Sequence, residues 1–456
     1  MKALLLILLL AVLLSGATLA AARTRITEGG EDRLSQVTSL GELIAAREGK
    51  PLHIIYVHGM RAEGPGASKF VRAELVRHLG ATEAFLGGEP LRLGQRPTEA
   101  RIAGELIWPS NAEWAASRPF MNRYSIKAPG ANIIIHELNW WPLLFPLKCA
   151  ALLAPDSALA GPDRAHLKLC ARENPPYHRW LSEEELAAAL AGPRSGGAAW
   201  PNGMMKRQIL NWGLADSVIA AGPMRHYLRD VVNEAFANAM SGDDDGREYV
   251  VMSESLGSFV VLDAFAACRP GVTRVLERTA HLYFFANQLA MLELASIGPL
   301  PKDPAPPCTP HALVKADESA AEATPLSALR RWAEAPPIIA DPDGRQRALL
   351  GEKALTSSGE RLKQIVAFSD PSDMLSYMVP KIKGAITVNL FVRMTGGPLK
   401  LFADPLKAHR GHITDRAVWK LLMGRRASGA RGRPVDGHLG EPAASHPGRD
   451  TAPGGR

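Results

Sequence analysis

The chain has 456 residues, of which 46% are hydrophobic and 22% are charged. This balance is typical of a globular protein with a large core, and it excludes disorder along the whole chain. The formal net charge is +7, but six arginines lie after Met423 in a tail rich in Gly, Pro and Ala. We therefore attribute the charge to solubility or a membrane surface, and predict no nucleic-acid partner, because no basic patch with interleaved aromatic residues is found.

Residues 1–22 are predicted to form an export signal. They contain a lysine, an unbroken apolar run and then small residues at the spacing that a signal peptidase needs. Residues 3–22 could also nearly cross a bilayer, which takes about 20 apolar residues. The sequence thus predicts an exported protein, periplasmic or secreted, with an uncleaved N-terminal membrane anchor as the alternative.

Short apolar runs rich in β-branched residues are predicted to be buried strands. They comprise residues 53–57, 132–138, 249–253, 282–287, 364–369 and 385–394. Segments with helical spacing separate most of them, among them 68–79 and 215–240, the second with a break expected at Gly222-Pro223. This alternation predicts an α/β fold with a mostly parallel sheet and helices on both faces.

Two segments interrupt the alternation. Residues from about 142 to 205 are predicted to be an insertion that caps a site, and the Pro- and Ala-rich residues 297–343 a long excursion. Residues 425–456 are predicted to be a disordered basic tail. The four cysteines are even in number, and Cys149 with Cys170 is the expected disulfide because the two flank one short segment.

The stretch Ser253-Glu254-Ser255-Leu256-Gly257 lies where a predicted strand ends and a helix begins. Small residues at 253 and 257 suit a sharp turn, because strand and helix backbones approach each other there. Such a turn lifts Ser255 above the sheet edge, at the positive end of a helix dipole. The stretch resembles the nucleophile elbow of the α/β-hydrolase family, Gly-x-Ser-x-Gly, with Ser253 in place of the first glycine.

The resemblance extends over about residues 50–424 and implies an acid and a histidine downstream of the serine. The acid is expected a few residues after the strand 364–369, which favours Asp373 and leaves Asp370 as the alternative. The histidine is expected on a loop after the last strand, which favours His409 over His412. A metal site at this pair of histidines is not predicted, because no third ligand is near.

The resemblance also implies an oxyanion hole, built from two backbone amides. One belongs to the residue after the nucleophile, here Leu256, and the other to a loop often marked by His-Gly, here Met60 after His58-Gly59. Gly59 would let the backbone approach the substrate. His58 itself is expected to be structural.

Together these features predict an exported serine hydrolase of the α/β-hydrolase fold over residues 23–424, with a cap-like insertion at about 142–205. Ser255 would attack an ester carbonyl, His409 would take its proton, and water would release the acyl-enzyme. The substrate class, a small-molecule or lipid ester, rests on the commonest use of the fold. No cofactor or metal is predicted. The alternative is a catalytically inactive binding or scaffold protein. Ser253 departs from the family motif, and there are two candidate acids and two candidate histidines, which leaves this alternative open.

Overall fold

The computed structural model covers most of the predicted domain. The described residues are 25–29, 32–60, 66–102, 104–153, 167, 170, 183–191, 206–240, 248–296, 324–334, 363–393, 405–424 and 435–436. The predicted export segment lies outside them, as do most of the insertion, of the segment 297–343 and of the basic tail. Among the described residues, no helix combines the length and the apolar character needed to cross a membrane.

The strands form one large sheet and a separate small hairpin. Their bounds are Arg25–Gly29 (β1), Leu52–Val57 (β2), Thr82–Phe85 (β3), Leu91–Arg92 (β4), Arg101–Ile102 (β5), Glu105–Leu106 (β6), Phe120–Ala128 (β7), Ala131–Asn139 (β8), Tyr249–Glu254 (β9), Thr279–Phe285 (β10), Lys363–Ser369 (β11), Ala385–Arg393 (β12) and Val435–Asp436 (β13). The order across the large sheet is β13-β1-β12-β11-β10-β9-β2-β8-β7-β3, with β4 paired to β7, and β5 and β6 form the hairpin.

The centre of the large sheet is parallel. Strands β8, β2, β9, β10, β11 and β12 lie side by side and run in one direction. Antiparallel strands flank them, β7 beside β8 and β1 beside β12. The six central strands coincide with the six apolar runs of the sequence, so the predicted strands and the α/β class are confirmed.

The helices lie between the strands along the chain. Their bounds are Leu40–Ala46 (α1), Lys69–Leu79 (α2), Asn111–Ser117 (α3), Phe145–Lys148 (α4), Glu183–Ala191 (α5), Ala215–Ala221 (α6), Arg225–Ala239 (α7), Leu256–Ala266 (α8), Pro270–Glu277 (α9), Leu289–Glu293 (α10), Pro325–Glu334 (α11), Pro405–Thr414 (α12) and Arg416–Leu422 (α13). The predicted break at Gly222-Pro223 separates α6 from α7 and is confirmed.

Apolar side chains cover the sheet on both faces. In β2, Ile55 and Val57 pack into a cluster that includes residues of α7, α8 and α9, whereas Ile54 and Tyr56 pack on the other face with residues of α1, α2 and α13. Helix α8 is buried along its whole length. An apolar stripe on one side would not suffice for such a helix, so most of its residues are apolar, and its buried Asp263 forms ion pairs with Arg225 and Arg229.

The described part of the insertion has a small core of its own. Trp141, Phe145 and Leu153 pack there with the disulfide Cys149–Cys170, whose Cα atoms are 5.8 Å apart. This disulfide confirms the pairing expected from the sequence. Cys268 is also disulfide-bonded.

Candidate active site

Ser255 occupies the turn between β9 and α8. Its backbone has φ 52° and ψ −119°, a conformation that non-glycine residues rarely adopt and that the surrounding structure must enforce. The Ser255 amide donates to the Phe285 carbonyl at 2.7 Å, which ties the turn to β10. A Cβ at Gly257 would lie 2.4 Å from the Val57 carbonyl oxygen and 2.7 Å from that of His58. The close approach of backbones predicted at this glycine is therefore present.

Ser253, where the family motif has glycine, is fully buried in β9 between β2 and β10. It pairs across the sheet with Val57 on one side and Phe284 on the other. Its hydroxyl has no hydrogen-bond partner among the described residues. The small serine side chain fits this space. Because its hydroxyl makes no hydrogen bond to a described residue, a glycine here would lose no such bond.

Ser255, His409 and Asp373 form a continuous chain of hydrogen bonds. His409 Nε2 lies 2.8 Å from Ser255 Oγ, and His409 Nδ1 lies 2.7 Å from Asp373 Oδ2. A carboxylate only accepts, so Nδ1 carries the hydrogen, and Nε2 of the neutral ring accepts from the serine hydroxyl. Asp373 Oδ1 accepts in turn from the Leu375 amide at 2.9 Å, which fixes the carboxylate.

The three side chains come from loops and helices that follow three of the parallel strands. Ser255 follows β9, Asp373 follows β11 and His409 follows β12. Since parallel strands place their carboxyl ends at one edge of the sheet, residues distant in the chain meet there. Ser255 is 1% exposed and Asp373 6%. Ser255 and Asp373 are therefore shielded from bulk water, which strengthens their electrostatic interactions, while the His409 side chain between them is 11% exposed.

Asp370, the alternative acid, shapes the loop that presents Asp373. A side-chain oxygen of Asp370 accepts from the Ser372 amide at 2.8 Å, and its carbonyl accepts from the Asp373 amide at 2.9 Å. These bonds are typical of an Asx turn. The structure joins His409 to Asp373.

His412, the alternative base, lies one helical turn after His409 and is fully buried. Neither ring nitrogen has a hydrogen-bond partner among the described residues. Burial lowers the pKa of His412 to about 4, while Asp373 raises it and His409 lowers it to smaller extents. The imidazole is therefore neutral near pH 7 and is not joined to Ser255.

The location of both histidines on a loop was wrong, because they lie within helix α12. Pro405 stands at the first helical position, where its missing N–H costs nothing. The helix buries Ala408, His412 and Ile413, which recur at helical spacing. Packing of this face against the domain forms a helix where the resemblance to the family implied a loop.

The two residues expected in the oxyanion hole lie on either side of Ser255. Leu256 is the first residue of α8, where amides have no carbonyl of the same helix to donate to. Met60 follows β2 and Gly59, and a Cβ on Gly59 would lie 2.6 Å from the Ser255 Cβ. The backbone at Gly59 thus passes directly against the serine. The Met60 sulfur accepts from the Ser217 hydroxyl at 3.1 Å.

A buried carboxylate holds the far end of the loop that follows β2. Glu137 accepts from the Gly66 amide at 3.1 Å and from the Ser68 amide at 2.7 Å, and also from the side chains of Asn122 and Asn139. Burial alone would raise the pKa of Glu137, but these hydrogen bonds outweigh it and hold the pKa below its ordinary value. Glu137 therefore stays charged and anchors the loop.

Two further contacts beside Ser255 were not predicted from the sequence. The Tyr56 hydroxyl donates to a carboxylate oxygen of Glu254, the residue before Ser255, at 2.9 Å. His58 stacks on Trp140 with ring centroids 4.9 Å apart. Glu254, an acidic residue inside the predicted turn, could have indicated the first contact. The second contact could not be predicted, because it joins residues that follow neighbouring strands and are distant in the chain.

No group of three or more His, Cys, Asp or Glu side chains that could hold a metal ion occurs in the part of the chain that the structure describes. Comparison of the chain with protein-family models, with curated proteins and with solved structures gave no match.

Proposed function

We propose that this protein is a serine hydrolase that cleaves carboxylic esters through an acyl-enzyme on Ser255. The observation that carries the proposal is the chain of hydrogen bonds from Asp373 through His409 to Ser255, with the serine on a strained strand-to-helix turn. An acceptor nitrogen 2.8 Å from a serine hydroxyl is within reach of the proton that a general base must take.

The proposed reaction begins with attack of Ser255 Oγ on the ester carbonyl carbon while His409 Nε2 takes the hydroxyl proton. Asp373 holds the Nδ1 hydrogen and stabilises the imidazolium that forms. The Met60 and Leu256 amides donate to the carbonyl oxygen as it becomes negative. The imidazolium then gives its proton to the leaving alkoxide. Water, activated by the same nitrogen, releases the acid and restores Ser255.

The arrangement supports an α/β-hydrolase-like fold. Nucleophile, acid and histidine follow parallel strands in the order that the family uses, and Gly257 stands where the turn needs a glycine. Two features depart from the pattern. Ser253 replaces a glycine, and the strand before Gly59 is the second in the chain, where the family has its third. An ester substrate is proposed by analogy with the commonest use of such folds.

We also propose that the protein is exported, with the membrane-anchored form as the alternative. The Cys149–Cys170 disulfide supports this, because disulfides persist in the periplasm and outside the cell and are rare in the cytosol. Intact mass of the purified protein tests the point. A species that begins near Ala21 or Arg23 would agree with cleavage, and an intact Met1 in the membrane fraction would support the anchor.

Labelling with a fluorophosphonate tests the serine hydrolase. This probe phosphonylates a serine only when a general base activates it, so we expect one adduct per chain, located by peptide mass spectrometry on Ser255. Ser255→Ala should remain unlabelled. Ser258→Ala is the matched control, because Ser258 is a buried hydroxyl three residues further along the same turn and helix. If the purified protein stays unlabelled, the protein is not a serine hydrolase and the binding or scaffold alternative stands. If Ser255→Ala labels as well as wild type, Ser255 is not the nucleophile.

A further inference from the structure

The loop after β2 begins with a histidine whose two ring nitrogens both contact the backbone. His58 Nε2 lies 3.2 Å from the Trp140 amide nitrogen, and His58 Nδ1 lies 2.7 Å from the Gly59 carbonyl oxygen. The Trp140 indole also donates to the His58 carbonyl at 3.0 Å. All these atoms are buried, since His58 is 2% exposed and Trp140 0%.

These contacts determine which nitrogen of His58 carries the hydrogen. The Trp140 amide is a donor, so Nε2 must offer its lone pair. The hydrogen of the neutral ring is then on Nδ1, which donates it to the Gly59 carbonyl. A doubly protonated ring would set an Nε2 hydrogen against the Trp140 N–H. The surroundings therefore select a neutral His58 that donates at Nδ1.

Holding the Gly59 carbonyl also determines the direction of the Met60 amide. The carbonyl of Gly59 and the N–H of Met60 belong to one peptide group, which is planar and trans, so the two point in opposite directions. With the carbonyl turned towards His58, the Met60 N–H is turned away from it. Gly59 has no Cβ to restrict rotation of this peptide, so another contact must fix it.

We propose that His58 is a positioning residue for the oxyanion hole. By donating to the Gly59 carbonyl, it holds the Gly59–Met60 peptide in the orientation that leaves the Met60 N–H available to the reacting carbonyl oxygen. The proximity of Gly59 to Ser255 supports this, because a Cβ on Gly59 would be 2.6 Å from the Ser255 Cβ. The inference rests on the proposed function, since only a hydrolytic Ser255 requires an oxyanion donor there.

Trp140 keeps His58 in place from the neighbouring strand. The register of β2 and β8 pairs Val57 with Leu138, so the residues that follow these two positions continue side by side. The ring of Trp140 is nearly parallel to that of His58, with an interplanar angle of 8°. Stacking and the hydrogen bond from the Trp140 amide to Nε2 thus fix the imidazole, and the bond from the Trp140 indole to the His58 carbonyl fixes the backbone that carries it.

Two variants at position 58 test the proposal. His58→Phe keeps an aromatic ring to stack on Trp140 but removes the donor to Gly59. His58→Asn replaces Nδ1 by an amide nitrogen at about the same distance from the backbone, so it restores that donor. The readout is the second-order rate of fluorophosphonate labelling, because this reaction also places negative charge on an oxygen in the oxyanion hole. Titration to the end point counts the competent molecules in each preparation.

We expect labelling of His58→Phe to be about 10- to 100-fold slower than wild type, since misplacing one oxyanion donor has effects of this order. His58→Asn should label at least about threefold faster than His58→Phe, because it restores the donor to Gly59, although it lacks the ring and the Nε2 acceptor that contact Trp140. With an ester substrate, the loss in His58→Phe should appear in kcat with KM unchanged, because the contact acts on the tetrahedral intermediate. A wild-type rate in His58→Phe, or equal loss in both variants, would overturn the proposal.

A second variant and the labelling of the wild type make the result interpretable. If His58→Phe fails to fold, His58→Leu tests the same point, because it also removes the donor to the Gly59 carbonyl, and labelling about 10- to 100-fold slower than wild type is expected. A wild-type rate in this variant would contradict the proposal. Absence of labelling in the wild type would instead refute the serine hydrolase itself, so the two failures are distinguishable.

Discussion

The turn after β9 and the helix α12 both deliver a residue to the candidate site, but they constrain that residue differently. Ser255 sits in a turn fixed by backbone contacts, and its positive φ and the crowding at Gly257 leave it one position. His409 sits on a regular helix that carries a second histidine three residues later. In the crowded turn, local backbone contacts determine that Ser255 is the residue at the site. In the helix, packing against the rest of the domain determines which of the two histidines reaches the site.

Replacing the histidines of α12 should give the largest difference. We expect His409→Ala to lower kcat by about 10⁴- to 10⁶-fold, because it removes the imidazole that is hydrogen-bonded to Ser255 and that we propose as its general base. His412→Leu should retain kcat within about tenfold, since neither ring nitrogen of His412 is bonded among the described residues. Steady-state kinetics on an active ester, normalised to the concentration of folded protein, would measure both. Equal losses of kcat in the two variants would contradict the proposal that His409, and not His412, acts on Ser255.

The two carboxylates after β11 form a similar pair. Asp373→Asn should lower kcat by about 10⁴-fold, because an amide nitrogen facing Nδ1 favours the wrong tautomer of His409. Asp370→Asn keeps an oxygen for the Ser372 amide, so its effect on kcat should be less than about tenfold. Thermal unfolding would serve as the control for folding of both variants. A larger loss in Asp370→Asn would reverse the assignment.

The crowding at the turn can be tested with a single methyl group. Gly257→Ala would place a Cβ against two backbone carbonyls that cannot move independently of β2, so we expect the free energy of unfolding to fall by about 3 kcal/mol or more and labelling of Ser255 to be lost. Gly88→Ala is the control, because a Cβ there meets no atom within 4 Å. Chemical denaturation measures both. A stable, fully labelled Gly257→Ala would mean that the turn is less constrained than the structure indicates.

The burial of His412 gives a dependence of stability on pH. Burial lowers its pKa to about 4, below the ordinary value of 6.5. Between these values the unfolded chain binds a proton that the folded chain does not, so stability is highest above pH 6.5 and falls as the pH falls towards 4. The loss from this group amounts to about 3 kcal/mol.

Urea unfolding of wild type and His412→Leu across this range would measure the effect of His412. The difference between the two proteins should change with pH, in the direction of a relatively more stable variant at low pH. Parallel curves would show that His412 is not a buried neutral imidazole.

The smallest effect is expected at Ser253. Ser253→Gly removes a hydroxyl that has no partner among the described residues and restores the glycine of the family motif. Loss of a buried, unpaired polar group offsets the greater flexibility of glycine in a strand, so the free energy of unfolding should change by less than about 1 kcal/mol. Labelling of Ser255 should persist. A large loss of labelling would give Ser253 a role in the turn that its contacts do not explain.

Much of the fold could be predicted because the central strands are buried on both faces. Continuous β-branched runs such as that of β2 indicate this position without knowledge of their neighbours. The antiparallel strands at the edges were not predicted. Strand β3 is exposed along its length and therefore lacks an apolar run. Helix α12 was missed because the family resemblance placed the histidines on a loop, whereas residues Pro405–Thr414 form a helix.

The sequence by itself determined the central strands, the turn at Ser255 and the chain order of serine, acid and histidine, because burial periodicity and backbone crowding are local properties of the chain. The family's order favoured Asp373 over Asp370 and His409 over His412, but only the tertiary structure joins Asp373 to His409 and His409 to Ser255. It also brought Trp140 against His58, since contacts between neighbouring strands depend on how the sheet is assembled. Sequence spacing identifies the candidate residues of a site, and tertiary packing determines which of them come into contact.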